Sequence, residues 1–202
     1  MPSQSATSQR ARQRETTRRQ LVDAGLRVVA ASGFAGASTA AIAKATGKAH
    51  GTVFVHFRTR DDLVAELVAE IGRAMSARLA TPEAATLPEV LQAHLAALAD
   101  QELLYARMLC EASTLPLAAR AQIFALQSGV AARIRSAYLR TREQGALREI
   151  DPVMLSNMWI SLTNHYVMNR DLFAPGGSAI ATHGEAIKAQ FLNLIQQTEV
   201  QP

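Results

Sequence analysis

Apolar residues recur at helical spacing along most of the chain, and no stretch of useful length alternates apolar and polar residues as a strand does. One such helix face carries Leu63, Leu67, Ile71 and Met75. Apolar stripes lie near 87–99, 102–113, 117–145, 151–173 and 180–198, and breaks fall at "STLP", "GALREIDP" and "APGGS". The pattern predicts an all-α fold, in which a small helical head is joined through one longer helix to a larger helical body.

Composition excludes several classes of protein. With 49% hydrophobic residues, the 202-residue chain can bury a sizeable core. No apolar run is long enough to span a membrane, and the polar first twenty residues do not resemble a signal peptide. The single cysteine, Cys110, excludes an internal disulfide and a cysteine-based zinc cluster. We therefore expect a cytoplasmic protein without membrane contact and without a cofactor.

The net charge of +4 is unevenly distributed. Residues 1–60 hold ten basic and two acidic side chains, a net charge of +8, whereas the remaining residues have a net charge of −4. This asymmetry favours a polyanion as the partner of the N-terminal part, although a solvated basic tail would give the same distribution of charge. Residues 1–14 have no apolar periodicity, which predicts a disordered basic arm.

The head, residues 15–62, shows the start and stop signals of short helices. Gly33 and Gly47 are placed to end two of them. Ser38 or Thr39 is placed to cap the second helix, and acidic residues follow Thr59 at the start of a fourth. Residues 63–202 form the predicted body.

The stretch "TGKAHGTVFVHFRTRDDL", residues 46–63, allows two interpretations. A phosphate-binding loop needs Ser or Thr after Gly-Lys and a glycine five residues before the second glycine, but Ala49 and Ile42 stand there. The alternative is a helix-turn-helix, in which the start of the second helix meets DNA bases. This explains a polar beginning followed by Val53 and Phe57, which can pack inward.

The segment "GFAGASTAAIAKATGKAHGTVFVHFRTRDDLVAELV" resembles the DNA-binding domain of TetR-family transcriptional regulators. The resemblance covers about residues 15–65. It implies a three-helix helix-turn-helix domain followed by a helical effector-binding and dimerisation domain. Carried over by position, the implied DNA-binding residues are Thr39, Lys48, Ala49, His50, Gly51, Thr52, Phe54, His56 and Arg60.

Three of these positions depart from the family pattern. Phe54 stands at the usual tyrosine and lacks the hydroxyl that binds a phosphate. Its ring either faces the DNA backbone or is buried in the head. Ala49 replaces a capping serine, which costs about 1 kcal/mol of local helix stability. Lys48 replaces a valine and can supply a new phosphate or guanine contact. His56 is flanked by apolar residues, and it either contacts the DNA backbone or is a partly buried structural histidine.

For the body, the resemblance implies a homodimer through residues 151–198 and an effector pocket. One head reads too few base pairs to be selective, which also favours a two-fold dimer on a pseudo-palindromic operator. Candidate ligand-binding residues are Tyr105, Met108, Cys110, Phe124, Trp159 and His165, although such side chains more often form core. His94, Glu111 and His165 lack diagnostic metal-ligand spacing, and no metal site is predicted.

The sequence thus predicts a homodimeric transcriptional regulator, a repressor released from its double-stranded DNA operator by a small-molecule effector. One alternative is a constitutive DNA-binding dimer without an effector pocket. A helical enzyme is the other, but no nucleophile–base pair, carboxylate cluster or nucleotide loop supports it, and we predict no enzymatic activity.

Overall fold

The computed structural model describes residues 4–143 and 147–196. Within these residues, the regular structure is helical, apart from one isolated antiparallel bridge between Leu147 and Gln196. The α-helices are α1 (Gln4–Gly36), α2 (Thr39–Thr46), α3 (His50–His56), α4 (Arg60–Arg78), α5 (Leu87–Cys110), α6 (Leu117–Glu143), α7 (Pro152–Met168), α8 (Arg170–Phe173) and α9 (Ala179–Ile195), with a 3-10 turn at Ala112–Thr114. The predicted all-α fold is confirmed. No helix in the described ranges is both long and apolar enough to cross a membrane.

The sequence predicts a disordered arm over residues 1–14, whereas the structure describes a helix from Gln4, where α1 begins. Residues 1–3 lie outside the described part. The segment from Gln4 to Arg14 contains no Gly or Pro and is rich in Gln, Arg and Ala. Such residues propagate a helix readily once a packed segment has nucleated it. Residues 9–14 are exposed on this helix, which agrees with their lack of apolar periodicity.

The short helices of the head end where the sequence predicts. Gly33 interrupts α1 with a φ of 71°, and Gly47 ends α2 with a φ of 63°, so both lie in the left-handed region that favours glycine. Ser38, and not Thr39, is the N-cap of α2, and its Oγ accepts a hydrogen bond from the Ala41 amide at 3.1 Å. Val53 and Phe57 are buried, as their apolar character predicts.

Helix α4 belongs to both parts of the molecule. It begins with a capping box, in which the Thr59 hydroxyl accepts from the Asp62 amide and the Asp62 carboxylate accepts from the Thr59 amide, both at 3.0 Å. Its inward face, which includes Leu63 and Met75, is buried, and the helix packs on α1, α5 and α6. The predicted boundary after residue 62 therefore falls in the first turn of a continuous helix.

The body is built around α5, which runs unbroken through the predicted gap near residues 99–102 because no Gly or Pro interrupts it there. Glu102 on α5 is only 4% exposed. Its carboxylate accepts hydrogen bonds from the Ser178 hydroxyl and from the amides of Ala179 at 2.8 Å and Ile180 at 3.2 Å. Arg170 lies 3.5 Å from the same carboxylate. Glu102 thereby fastens the N-terminus of α9 to the central helix.

A buried polar pair joins α5 to α7. The Trp159 Nε1–H donates to His94 Nδ1 at 3.0 Å, and both side chains are buried. Burial lowers the pKa of His94 to about 4. The imidazole is therefore neutral at pH 7, which suits its role as hydrogen-bond acceptor.

Acid is expected to destabilise the protein through His94. Its folded pKa of about 4 lies below the value of 6.5 for an exposed histidine, so the unfolded chain binds the proton more tightly. Stability from this group is complete above pH 6.5 and falls as the pH drops toward 4. Denaturant unfolding should show a loss of about 2 kcal/mol between pH 7.5 and 5. His94→Gln, whose amide oxygen can still accept from Trp159, should lack this loss, and an equal loss in that variant would contradict the assignment.

Candidate nucleic-acid interface

Helices α2 and α3 and the turn Gly47–Ala49 form a helix-turn-helix. The inner residues of the two helices, Ile42, Ala43 and Val53, are buried in the head. Outward-facing positions at the start of α3 are exposed, namely Ala49, His50 and Gly51, followed one turn later by Phe54. The start of the second helix is therefore free to enter a groove, as the sequence predicts.

A hydrogen bond connects the beginnings of the two helices. Thr39 Oγ1 lies 2.8 Å from His50 Nε2, and the His50 ring meets the Phe54 ring edge-to-face with centroids 5.1 Å apart. Thr39, His50 and Phe54 thus form one connected surface. Because Nε2 is engaged by Thr39, a base contact from His50 would use Nδ1 or require the hydrogen bond to break. The sequence does not predict this contact, since the two residues are eleven positions apart on different helices.

Neither packing nor helix capping within the chain explains the small residues Ala49 and Gly51. A Cβ added at Gly51 would meet no atom within 4 Å, so packing within the chain does not explain a glycine there. Ala49 is the N-cap of α3 and makes no side-chain cap hydrogen bond, as the departure from serine predicts. Small residues at these two positions leave room for another molecule to approach the helix backbone closely.

The other predicted residues lie around the edge of this surface or behind it. Lys48 and Thr52 are half-buried, and Lys48 borders a shallow cleft with Asp23 and Arg27 of α1. Arg60 Nη2 donates to the Phe34 carbonyl at 2.7 Å, so this guanidinium is engaged within the head. The structure thus brings together Thr39, Ala49, His50, Gly51 and Phe54, but not all nine.

His56 lies at the end of α3 and is half-buried. Burial, together with the charges of Arg14, Arg18 and Lys48, lowers its pKa below the ordinary value. At pH 7 a phosphate contact from His56 would therefore come from a neutral ring.

Arg18 is a structural residue that the sequence reasoning missed. It donates to the His56 carbonyl at 3.2 Å, pairs with Glu66 of α4, and lies 4.6 Å over the Phe57 ring. These contacts hold the end of α3 against α1 and α4. Charge counting includes Arg18 only as one of the ten basic residues of positions 1–60 and cannot distinguish it from its neighbours.

Phe54→Tyr is expected to strengthen DNA binding. The Phe54 side chain is 45% exposed and not buried in the head, so a hydroxyl at the ring edge reaches solvent and can donate to a phosphate oxygen. Affinity should rise about tenfold on specific and random duplexes alike, because a phosphate contact carries no sequence information. Thermal unfolding measured beside a DNA titration checks this. A destabilised variant without a gain in affinity would contradict the placement of the ring.

The six predicted ligand-binding residues do not meet in one place. Tyr105, Met108 and Trp159 are buried in the core, whereas Cys110, Phe124 and His165 are exposed. His165 packs edge-to-face against Tyr166 and Phe173.

A groove of about 260 Å³ lies between the end of α5 and the first half of α6. Of the six predicted residues, only Phe124 lines it. The lining consists of Leu109, Ala112, Ser113, Arg120, Ile123, Phe124 and Gln127. Tyr105 hydrogen bonds with Gln127 at this groove and donates to Asn164 of α7 at 3.3 Å. Tyr105 thus connects the groove to α7 from within the core.

The described residues contain no cluster of three or more His, Cys, Asp or Glu side chains able to hold a metal ion. His94 is engaged by Trp159, and Glu111 accepts a hydrogen bond from the Ala35 amide.

Solved structures share this architecture. A TetR-family regulator from Agrobacterium tumefaciens has a TM-score of 0.75 at 16% identity, over 91% of this chain and all of that one. A putative regulator from Saccharomonospora viridis in complex with choline has a TM-score of 0.74 at 18% identity, over 91% of this chain and 100% of that one. FadR from Bacillus subtilis, in complex with stearoyl-CoA, has a TM-score of 0.67 at 19% identity, over 86% of this chain and 96% of that one. At these identities the likeness shows the fold.

The family model described as "Bacterial regulatory proteins, tetR family" matches residues 21–67, which run from α1 through α2 and α3 into α4. Residues 21–67 thus match the TetR family. The match covers the helix-turn-helix and ends within α4, and the body is similar to the solved TetR-family structures in fold only. A search of curated protein sequences finds no match.

Proposed function

We propose that this TetR-family protein is a homodimeric DNA-binding repressor that a small-molecule effector releases from its operator. The observation that carries the proposal is the surface of the helix-turn-helix, where His50, Gly51 and Phe54 of α3 are exposed beside the half-buried Thr39 of α2. The protein acts without catalysis, in the cytoplasm, where the DNA lies.

DNA would receive the start of α3 in its major groove. His50 is the candidate for a base contact, and Gly51 lets the helix backbone approach closely. Thr39 and Phe54 would contact the sugar–phosphate backbone, and such contacts set the register without reading sequence. The helical N-terminal extension, which carries Arg10, Arg12 and Arg14, adds positive charge near α3, since Arg14 reaches the Val55 carbonyl at 3.4 Å.

Homodimerisation is supported by apolar side chains that α7 and α9 leave exposed. Val153, Met154 and Met158 of α7 and Leu194 of α9 are exposed, although Trp159 and Phe191 beside them are buried. Contiguous exposed apolar side chains are typical of protein interfaces. They lie within residues 151–198, of which 197 and 198 are outside the described residues. Two-fold pairing would present two heads to successive major grooves of a pseudo-palindromic operator.

The groove between α5 and α6 is the candidate effector site. Its apolar side chains would hold an apolar molecule, and Arg120 and Gln127 would orient a polar group on it. Similar structures hold choline and stearoyl-CoA, which supports ligand binding by this fold without naming the ligand here. Ligand binding would act by favouring a state in which the heads no longer fit the operator.

His50→Ala tests the DNA-binding proposal. Duplexes selected from random-sequence DNA by the wild-type chain and by the variant should differ in preferred bases, because a base contact has been removed. Lys44→Ala is the matched control, an exposed residue of α2 whose loss should leave the selected motif unchanged. If His50→Ala selects the wild-type motif, the proposed recognition helix is wrong. Ligand-dependent release from the selected duplex would distinguish a repressor from a constitutive DNA-binding dimer.

A further inference from the structure

The turn between α1 and α2, residues 33–36, is in direct contact with the body. Glu111, the C-cap residue of α5, accepts a hydrogen bond from the Ala35 amide at 3.2 Å. The other carboxylate oxygen lies so close to Gly33 that an added Cβ would stand 2.4 Å from it. Gly33 thus permits both the left-handed backbone, with a φ of 71°, and the approach of the carboxylate. This arrangement is a tight contact between two segments 76 residues apart.

The same turn is held from a second side. Arg60, at the start of α4, donates to the Phe34 carbonyl at 2.7 Å. Ser38, two residues beyond the turn, caps α2 and so begins the helix-turn-helix. The helix-turn-helix therefore begins only a few residues from the contact with Glu111, and this contact helps to position it relative to the body.

Helix α4 alone does not fix this position. It runs continuously from the head into the body, and a single connecting helix can bend along its axis, which leaves the head free to tilt. A contact away from that axis removes this freedom. Packing of α1 on α5 supplies such a contact, and Glu111 is its hydrogen-bonding point at the end of α5.

We propose that Glu111 is a specificity-determining residue: its contact with the turn at residues 33–36 fixes the orientation of the head on the body, and thereby the half-site spacing that the dimer accepts. This inference rests on the proposed function as a dimeric DNA-binding protein. Leu109 and Ala112, which lie on either side of Glu111 along the chain, line the groove described above, so a molecule bound there would border the same segment.

The test compares duplexes that differ only in half-site spacing. The probes are the duplex selected from random-sequence DNA by the wild-type chain, the same duplex with one base pair inserted or removed at its centre, and one isolated half-site. One base pair changes the separation of half-sites by about 3.4 Å and their relative rotation by about 35°. Binding of the full chain is measured to each probe at one salt concentration.

Glu111→Ala should reduce the preference for the selected spacing over the altered spacings by about 2- to 30-fold, because the freed head adapts to both. Affinity for the isolated half-site should not change. Glu111→Gln keeps an acceptor for the Ala35 amide and should retain most of the wild-type preference. Gly33→Ala breaks the same contact from the head's side and should also reduce the spacing preference, with an added loss of stability because alanine strains the left-handed turn.

The matched control is Glu83→Ala, which removes the same charge from an exposed site before the other end of α5, a helix about 36 Å long. It should leave the spacing preference unchanged. An unaltered preference in Glu111→Ala, or an equal loss on all probes including the half-site, would overturn the inference. Failure of the wild-type chain to select any sequence would instead refute the proposed function.

Discussion

Glu102→Ala is expected to destabilise the folded chain by about 3–5 kcal/mol, the cost of removing one partner from a buried ion pair. The variant leaves the hydroxyl of Ser178 and the amides of Ala179 and Ile180 without their acceptor. It also removes the buried carboxylate beside Arg170, whose side chain is largely buried and whose other acidic partner, Asp171, is exposed. Denaturant unfolding at pH 7 measures the loss. Because α9 carries part of the proposed dimer interface, the mass in sedimentation should also shift toward the monomer.

Two further variants sharpen this expectation. Glu102→Gln keeps the size and one acceptor, so it should lose less than the alanine variant. Glu185→Ala, on the exposed face of α9, removes a solvent-exposed carboxylate from its pair with Lys188 and should change stability by at most about 0.5 kcal/mol. A loss below about 1 kcal/mol for Glu102→Ala would show that the carboxylate is not the fastening point of α9.

Raising the salt concentration from 50 to 200 mM is expected to weaken binding to the selected duplex by about 10³- to 10⁴-fold. The net charge of +8 over residues 1–60 motivates this result. If each head meets three or four phosphates, a dimer meets about seven and the slope of log affinity against log salt is about −6. Titrations at four or more salt concentrations give the slope, and a value near zero would refute a phosphate-contacting interface.

Single arginine variants test where the phosphate contacts lie. Arg58 is exposed in the loop after α3, and Arg58→Ala removes one charge from each head. If Arg58 contacts a phosphate, the slope of the dimer should become less steep by about 2. Arg142→Ala is the control, because Arg142 pairs with Glu149 in the body, and its slope should equal that of the wild type.

Local chemistry made much of the head predictable. Glycines at 33 and 47 end helices because the left-handed backbone conformation is open to them, and Ser38 caps α2 because its side chain reaches a neighbouring amide. The inward face of α4 follows from helical spacing alone. These features depend on residues within about four positions of each other, which is the range that a sequence pattern describes.

The features that the sequence did not reveal depend on distant segments. Glu102 meets Ser178, and Glu111 meets Ala35, each across 76 residues. Neither glutamate differs in its local sequence from an exposed helical one. The six candidate ligand residues failed to converge for the same reason, since Met, Tyr and Trp side chains serve equally as core. Arg60 matched a family position, yet its hydrogen bond to the Phe34 carbonyl appears only in three dimensions.

The helical start of α1 also affects the thermodynamics of DNA association. A disordered arm would lose conformational entropy as it ordered on the duplex, and this coupled folding would add to the heat-capacity change of binding. In α1 the backbone from Gln4 onward is already helical, so this ordering precedes the encounter with DNA. Arg10 and Arg14 are one helical turn apart on one side, whereas Arg12 points to the other side. A rigid extension therefore offers only part of its positive charge to one duplex, and calorimetry of binding should show the small heat-capacity change of rigid-body docking.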